Sequence, residues 1–159
     1  MPTPQFFADR LKAETAAFSK VTRALPADRL DYKPHERSTS AGSLAWQIAT
    51  ELDALVTLLE TGTIDYKQGR YPSVEEIATA TESSLERLIE AAKNVTEERW
   101  NGPGKFLWEG NPVWETTVSE MAWGFLFDLI HHRGQLSSYI RPMGGKVPAI
   151  YGPSADSES

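Results

Sequence analysis

The sequence predicts an all-α protein, a four-helix bundle, on three observations. Apolar residues recur at helical spacing in four long segments, helix-start signals stand before three of them, and Gly- or Pro-bearing connections separate them. No internal repeat is present, and 159 residues make about one domain, with a core that hides roughly two thirds of the unfolded surface. Residues 1–153 are therefore read as a single bundle domain, and the acidic, Ser-rich end over 154–159 as a disordered tail.

The first helix runs from Pro4 to about Leu25. Phe7, Leu11, Phe18, Val21 and Leu25 form one apolar face, and Pro26 closes it. The second runs from Ala41 to Glu60 with Leu44, Ile48, Leu52, Leu55 and Leu59 inward, started by the Ser38–Ser40 cluster and followed by Gly62. The third starts where Ser73 and Glu76 have capping-box spacing, and continues through Ile77, Thr81, Leu85, Leu88, Ala92 and Val95. Thr117 and Glu120 repeat that spacing before the fourth, which reaches Ile140 and is broken by "RPMGG". The segment "WNGPGKFLWEGNPVWE" between the third and fourth helices reads as irregular. A short hairpin of "KFLW" and "VWE" around Gly110-Asn111-Pro112 is the one regular element it suggests. The connection "TGTIDYKQGRYP" is long enough for a crossover between the second and third helices.

Composition excludes several function classes. A net charge of -6 without blocks of like charge disfavours nucleic acid, whose phosphates would be repelled. No run of about 18 apolar residues suggests a membrane span, and "MPTPQFFADRLKAE" has no basic and then apolar leader, so a cytoplasmic location is expected. With zero cysteines there is no disulfide, thiolate nucleophile or cysteine metal site. The chemistry falls to three histidines, His35, His131 and His132, with the carboxylates and amides near them.

At about 100° per residue, the fourth helix gathers Val118, Met121, Phe125, Leu129, Leu136 and Tyr139 on one side, with His132 amid them. Asp128 lies one turn earlier at the edge of that face, within reach of His132. Two readings stand open. The pair satisfies its own hydrogen bonds in the core, or both are metal ligands completed from another helix. Gln47, on the inward side of the second helix, is such a third group, and Glu51 one turn on offers a carboxylate. Trp123, Phe127 and Ile130 make a second apolar stripe on the fourth helix, which predicts burial on two sides and a homodimer.

Four helices, "SLAWQIA" in the second and "HHRGQLSSYIRPMGGKVPAIYG" at the end of the fourth resemble the DinB-like family of metalloenzymes. The group includes bacterial damage-inducible proteins and thiol-dependent transferases. The resemblance covers nearly the whole chain and implies an up-down-down-up bundle, often dimeric, with a metal held by three histidines. At those positions this sequence carries Gln47, Asp128 and His132. It thus implies a metal-dependent hydrolase or thiol-dependent transferase with a degenerate site. The expected cofactor is a divalent ion such as zinc, nickel, manganese, iron or magnesium, with a small thiol as co-substrate. The oxygen donors suit a harder ion than zinc or nickel. The rival is a metal-free hydrogen-bonded cluster of the same three side chains, in a protein that binds a small molecule or acts as a dimeric interaction module.

Other residues carry secondary expectations. Gly134 inside a helix costs about 1 kcal/mol against alanine, which predicts close packing there. Arg133 and Gln135 either line the pocket mouth or, for Arg133, pair with an acid on a neighbouring helix. His35 is a surface residue, and Trp100, Phe106, Trp108 and Trp114 roof the site or close the bundle end.

Overall fold

The computed structural model describes residues 2–67 and 69–157. Four long helices form where the apolar periodicity places them: α1 Pro4–Arg23, α2 Ala41–Thr61, α3 Val74–Asn94 and, last in the chain, α5 Val118–Ile140. Their ends obey the signals in the sequence. Thr3, Ser40, Ser73 and Thr117 each accept a hydrogen bond from a backbone amide of the first turn, and Ser73 with Glu76 completes a reciprocal capping box. Gly62 ends α2 at φ 83°, a left-handed conformation that glycine adopts without a Cβ penalty. A short helix, α4 (Glu97–Asn101), lies before the hairpin segment and was not foreseen.

The all-α expectation is corrected by a small three-stranded sheet, so the fold is predominantly helical rather than purely so. β1 (Thr63–Tyr66) pairs parallel to β2 (Pro103–Trp108), and β2 pairs antiparallel to β3 (Asn111–Thr117). The suggested hairpin exists but is longer, with Glu109 and Gly110 both at positive φ (50° and 80°), as the tight turn that matches strand twist requires. β1 left little local signal. Only Ile64 and Tyr66 alternate inward in its four residues, and its partner strand lies about forty positions further on.

α1 and α2 both pack against α3, α2 packs against α5, and the sheet lies against α2 through β1 and against α5 through β2 and β3. The predicted inward residues form one core: Phe7, Leu11, Phe18, Leu44, Ile48, Leu52, Leu85, Leu88, Met121, Leu129 and Leu136 are all sealed from solvent. Burying each large side chain is worth roughly 1.5–3 kcal/mol, which is what fixes the helices against one another. None of the described helices is long and apolar enough to cross a membrane.

Several single-residue expectations change. Trp100 does not roof a pocket; it is buried in the core against Phe7, and its indole N–H donates to the Pro2 carbonyl at 3.0 Å. Gly134 is not a packing glycine, since a Cβ there would meet nothing within 4 Å. The close approach belongs to Gly124, where a Cβ would stand 2.7 Å from the Trp114 ring. Arg133 resolves to the ion-pair alternative: it reaches Glu14 of α1 at 2.5 Å. Gln135 donates a long bond of 3.4 Å to the Tyr139 hydroxyl, and His35 is exposed. In the tail expected to be disordered, Asp156 accepts from Arg141 and from the Val147 amide, while residues 158–159 lie outside the described residues.

Candidate metal site between α2 and α5

Gln47 and Glu51 lie one turn apart on α2, and Asp128 and His132 one turn apart on α5. A spacing of four residues stacks each pair on one helix face, and the packing of α2 on α5 turns the two faces together. Gln47 Nε2 stands 2.8 Å from Glu51 Oε1 and 3.2 Å from His132 Nε2. His132 Nε2 is in turn 3.1 Å from Asp128 Oδ2. The three residues singled out in the sequence therefore converge, and Glu51 joins them as a full member.

Glu51, Asp128 and His132 each aim one ligand atom so that all three atoms lie within 4.8 Å of one another. Burial is graded across the set. Glu51 is 5% exposed, the His132 side chain 17% and the Asp128 side chain 51%, so the site is closed on the Glu51 side and open to solvent at Asp128. Burial pushes the Glu51 carboxyl up to about 7; the hydrogen bond from Gln47 opposes the rise and the nearby Asp128 charge adds to it.

As bare protein, the cluster cannot satisfy every contact with ionised carboxylates. If Gln47 Nε2 donates to His132 Nε2, that nitrogen is an acceptor facing the Asp128 oxygen, a second acceptor, at 3.1 Å. If His132 Nε2 carries the proton and donates to Asp128, it meets the amide N–H of Gln47 instead. Glu51 Oε2 and His132 Nδ1 are, in addition, buried polar atoms without a partner. A divalent cation among Glu51, Asp128 and His132 removes the conflict, because lone pairs that repel one another become ligands of one charge. Two carboxylates and one imidazole fit such an ion, with Gln47 donating to Glu51 from behind.

A second layer meets the site from the sheet. Thr50, next to Glu51, shares a 2.8 Å hydrogen bond with the Tyr66 hydroxyl of β1. The phenol is 5% exposed, and burial first, with the Glu51 charge behind it, raises its pKa and keeps it neutral. The sequence pointed to Tyr66 only weakly. The one signal was the alternation of "TIDY", which turns Ile64 and Tyr66 to the same side.

The family model described as the DinB family matches residues 1–158. Two solved structures are similar in fold. A DinB-like protein from Bacillus subtilis is 19% identical, with a TM-score of 0.69 over 87% of this chain and 92% of its own. A DinB-like protein from Bacillus cereus is 22% identical, with a TM-score of 0.73 over 91% and 95%. At these identities the likeness speaks for the fold alone. No curated protein matches the chain.

Proposed function

Because this chain belongs to the DinB family, we propose that it is a divalent-metal-dependent hydrolase whose cation is held by Glu51, Asp128 and His132. The observation that carries the reading is the convergence of two carboxylates and an imidazole on one point, in an arrangement that bare protein leaves in conflict while both carboxylates are ionised. When bound, such an ion polarises a carbonyl or phosphoryl oxygen and makes water acidic enough to attack near neutral pH. Gln47 donates to Glu51 and fixes that carboxylate from the second helix. Asp128 stands at the open side where substrate arrives. An oxygen-rich set matches manganese or iron(II) better than nickel. Thiolate chemistry favours softer ligand sets, so transfer involving a small thiol is the weaker of the two activities that the resemblance implies.

Manganese titration of untagged protein followed by calorimetry tests this. Wild-type protein is expected to bind one equivalent, and Asp128→Ala or Glu51→Gln to weaken binding at least 100-fold. No metal after purification without chelator, and no binding heat with manganese or zinc, would overturn it.

One observation favours the metal-free rival. With Glu51 protonated and the Gln47 amide turned over, the Glu51 O–H and His132 Nε2–H both donate to the amide oxygen, and the imidazole also reaches Asp128. That closed network describes a small-ligand-binding protein without a cation.

The same reading takes the four long helices as an up-down-down-up bundle, working in the cytoplasm as a homodimer. Support for the dimer comes from the second stripe of α5. Trp123 is half covered by Phe6 and Phe7 of α1, whereas Phe127 stays 64% exposed and Phe6 49%. Sedimentation at micromolar concentration is expected to give a wild-type dimer and a Phe127→Glu monomer; equal masses for the two would count against this face.

A further inference from the structure

The helix-facing side of the small sheet carries a wall of aromatic rings whose outer half is wet. In the parallel pair, Ile64 is in register with Phe106 and Tyr66 with Trp108; in the antiparallel pair, Phe106 is opposite Trp114. Residues in register point to the same side, so these five side chains share one face. Tyr66 meets Trp108 at 5.3 Å between ring centres, Phe106 meets Phe125 of α5 edge-on at 5.3 Å, and Trp114 lies 6.3 Å from Phe125.

The wall spans the gap between the two helices that carry the candidate metal site. Its β1 end is tied to α2 by the Tyr66–Thr50 bond, one residue from Glu51. Its β3 end sits on α5, where Trp114 lies against Gly124 and Phe125 is one turn before Asp128. A mid-helix glycine gives up about 1 kcal/mol against alanine, and here it makes room for an indole ring beside the site. Yet Trp108 remains 39% exposed and Trp114 38%. Packing of the sheet on the helices is already achieved by Ile64 and Tyr66, which are sealed. Wet indoles next to convergent polar groups are the composition of a ligand pocket, an apolar surface with a few fixed polar atoms.

We propose that this face is the substrate platform of the site. The substrate carries an aryl or similarly flat apolar group that stacks on Trp108 and Trp114, attached to the polar group that reaches Glu51, Asp128 and His132. The inference rests on the proposed metal-site reading for its polar end but not for its aromatic end.

The test uses the full chain and two probe pairs. With manganese-loaded protein, benzohydroxamate is expected to bind about tenfold more tightly than acetohydroxamate, the size of one ring stacking in a partly dry site. Trp108→Ala is expected to bring that ratio to within about threefold by weakening benzohydroxamate binding. With metal-free protein, millimolar benzamide is expected to shift the indole N–H resonances of Trp108 and Trp114 and to leave that of buried Trp100 in place; acetamide shifts none. Indole shifts without metal binding would sink the metal reading and leave the platform standing. Equal hydroxamate affinities, a preference that survives Trp108→Ala, or benzamide shifts absent from both indoles would overturn the platform.

Discussion

Metal-free protein is expected to lose about 3 kcal/mol of folding stability between pH 4.5 and about pH 7, and Glu51→Gln to remove that loss. Burial raises the Glu51 carboxyl from 4.5 to about 7, so across that window the folded state holds a proton that the unfolded chain has released. Stability is therefore full below pH 4.5 and falls as pH rises through the folded value. The size follows from the rise from 4.5 to about 7 at about 1.4 kcal/mol per pH unit, for a side chain that is 5% exposed. Glu82 works in a different window. Its hydrogen bonds with Arg23 and Ser19 hold it down to about 2, so its contribution is present above pH 4.5 and lost in acid. Urea unfolding with a chelator at pH 5 and pH 8 measures the effect, and the glutamine variant cancels contributions from other groups. An identical pH slope in wild type and Glu51→Gln would refute the assignment. Adding manganese to wild type at pH 8 is expected to recover the loss, because the ion takes the place of the missing proton.

Much of this was legible in the sequence because the information is local. Capping spacings at Ser73 and Thr117 and the glycine at Gly62 fixed helix ends to within a residue or two, since a cap acts within one turn. Gln47, Asp128 and His132 were found because polar residues on an apolar helix face demand a partner, whatever the fold. Glu51 was named only as an auxiliary, for its weight depends on how far α2 buries it, which a helical wheel does not state. β1 and Tyr66 were out of reach. A four-residue strand holds only two alternations, too few to mark it, and its parallel partner lies about forty positions further on. The two glycines show the limit of propensity arguments. Gly134 and Gly124 carry the same helix penalty, but only Gly124 has a ring against it. A cost identifies where an explanation is needed; the neighbour that supplies it is a tertiary fact.

Replacing Arg133 by methionine is expected to cost about 3–5 kcal/mol, a large share of the roughly 5–15 kcal/mol that holds a domain of this size folded. The guanidinium is 2% exposed and bridges three parts of the chain. One nitrogen donates to Glu14 of α1 at 2.5 Å, another to the Tyr151 hydroxyl at 2.5 Å, and that hydroxyl donates to Glu14 at 2.7 Å. Its flat face lies 4.7 Å above the Phe18 ring and 5.1 Å from that of Tyr151. Methionine fills comparable volume, so the loss comes less from a cavity than from leaving the Glu14 carboxylate, 16% exposed, without its countercharge. That cause makes a second, opposite prediction. Arg133→Met combined with Glu14→Leu is expected to be more stable than Arg133→Met alone, since an apolar pair leaves no orphaned charge. Arg133→Lys keeps the charge but not the two-pronged donation, and is expected to fall between wild type and the methionine variant. Urea unfolding at neutral pH, with Glu14→Leu alone completing the double-mutant cycle, reads all five chains. If Arg133→Met lies within 1 kcal/mol of wild type, or if adding Glu14→Leu deepens the loss, the cluster does not join α1, α5 and the C-terminal segment energetically in the way its geometry implies.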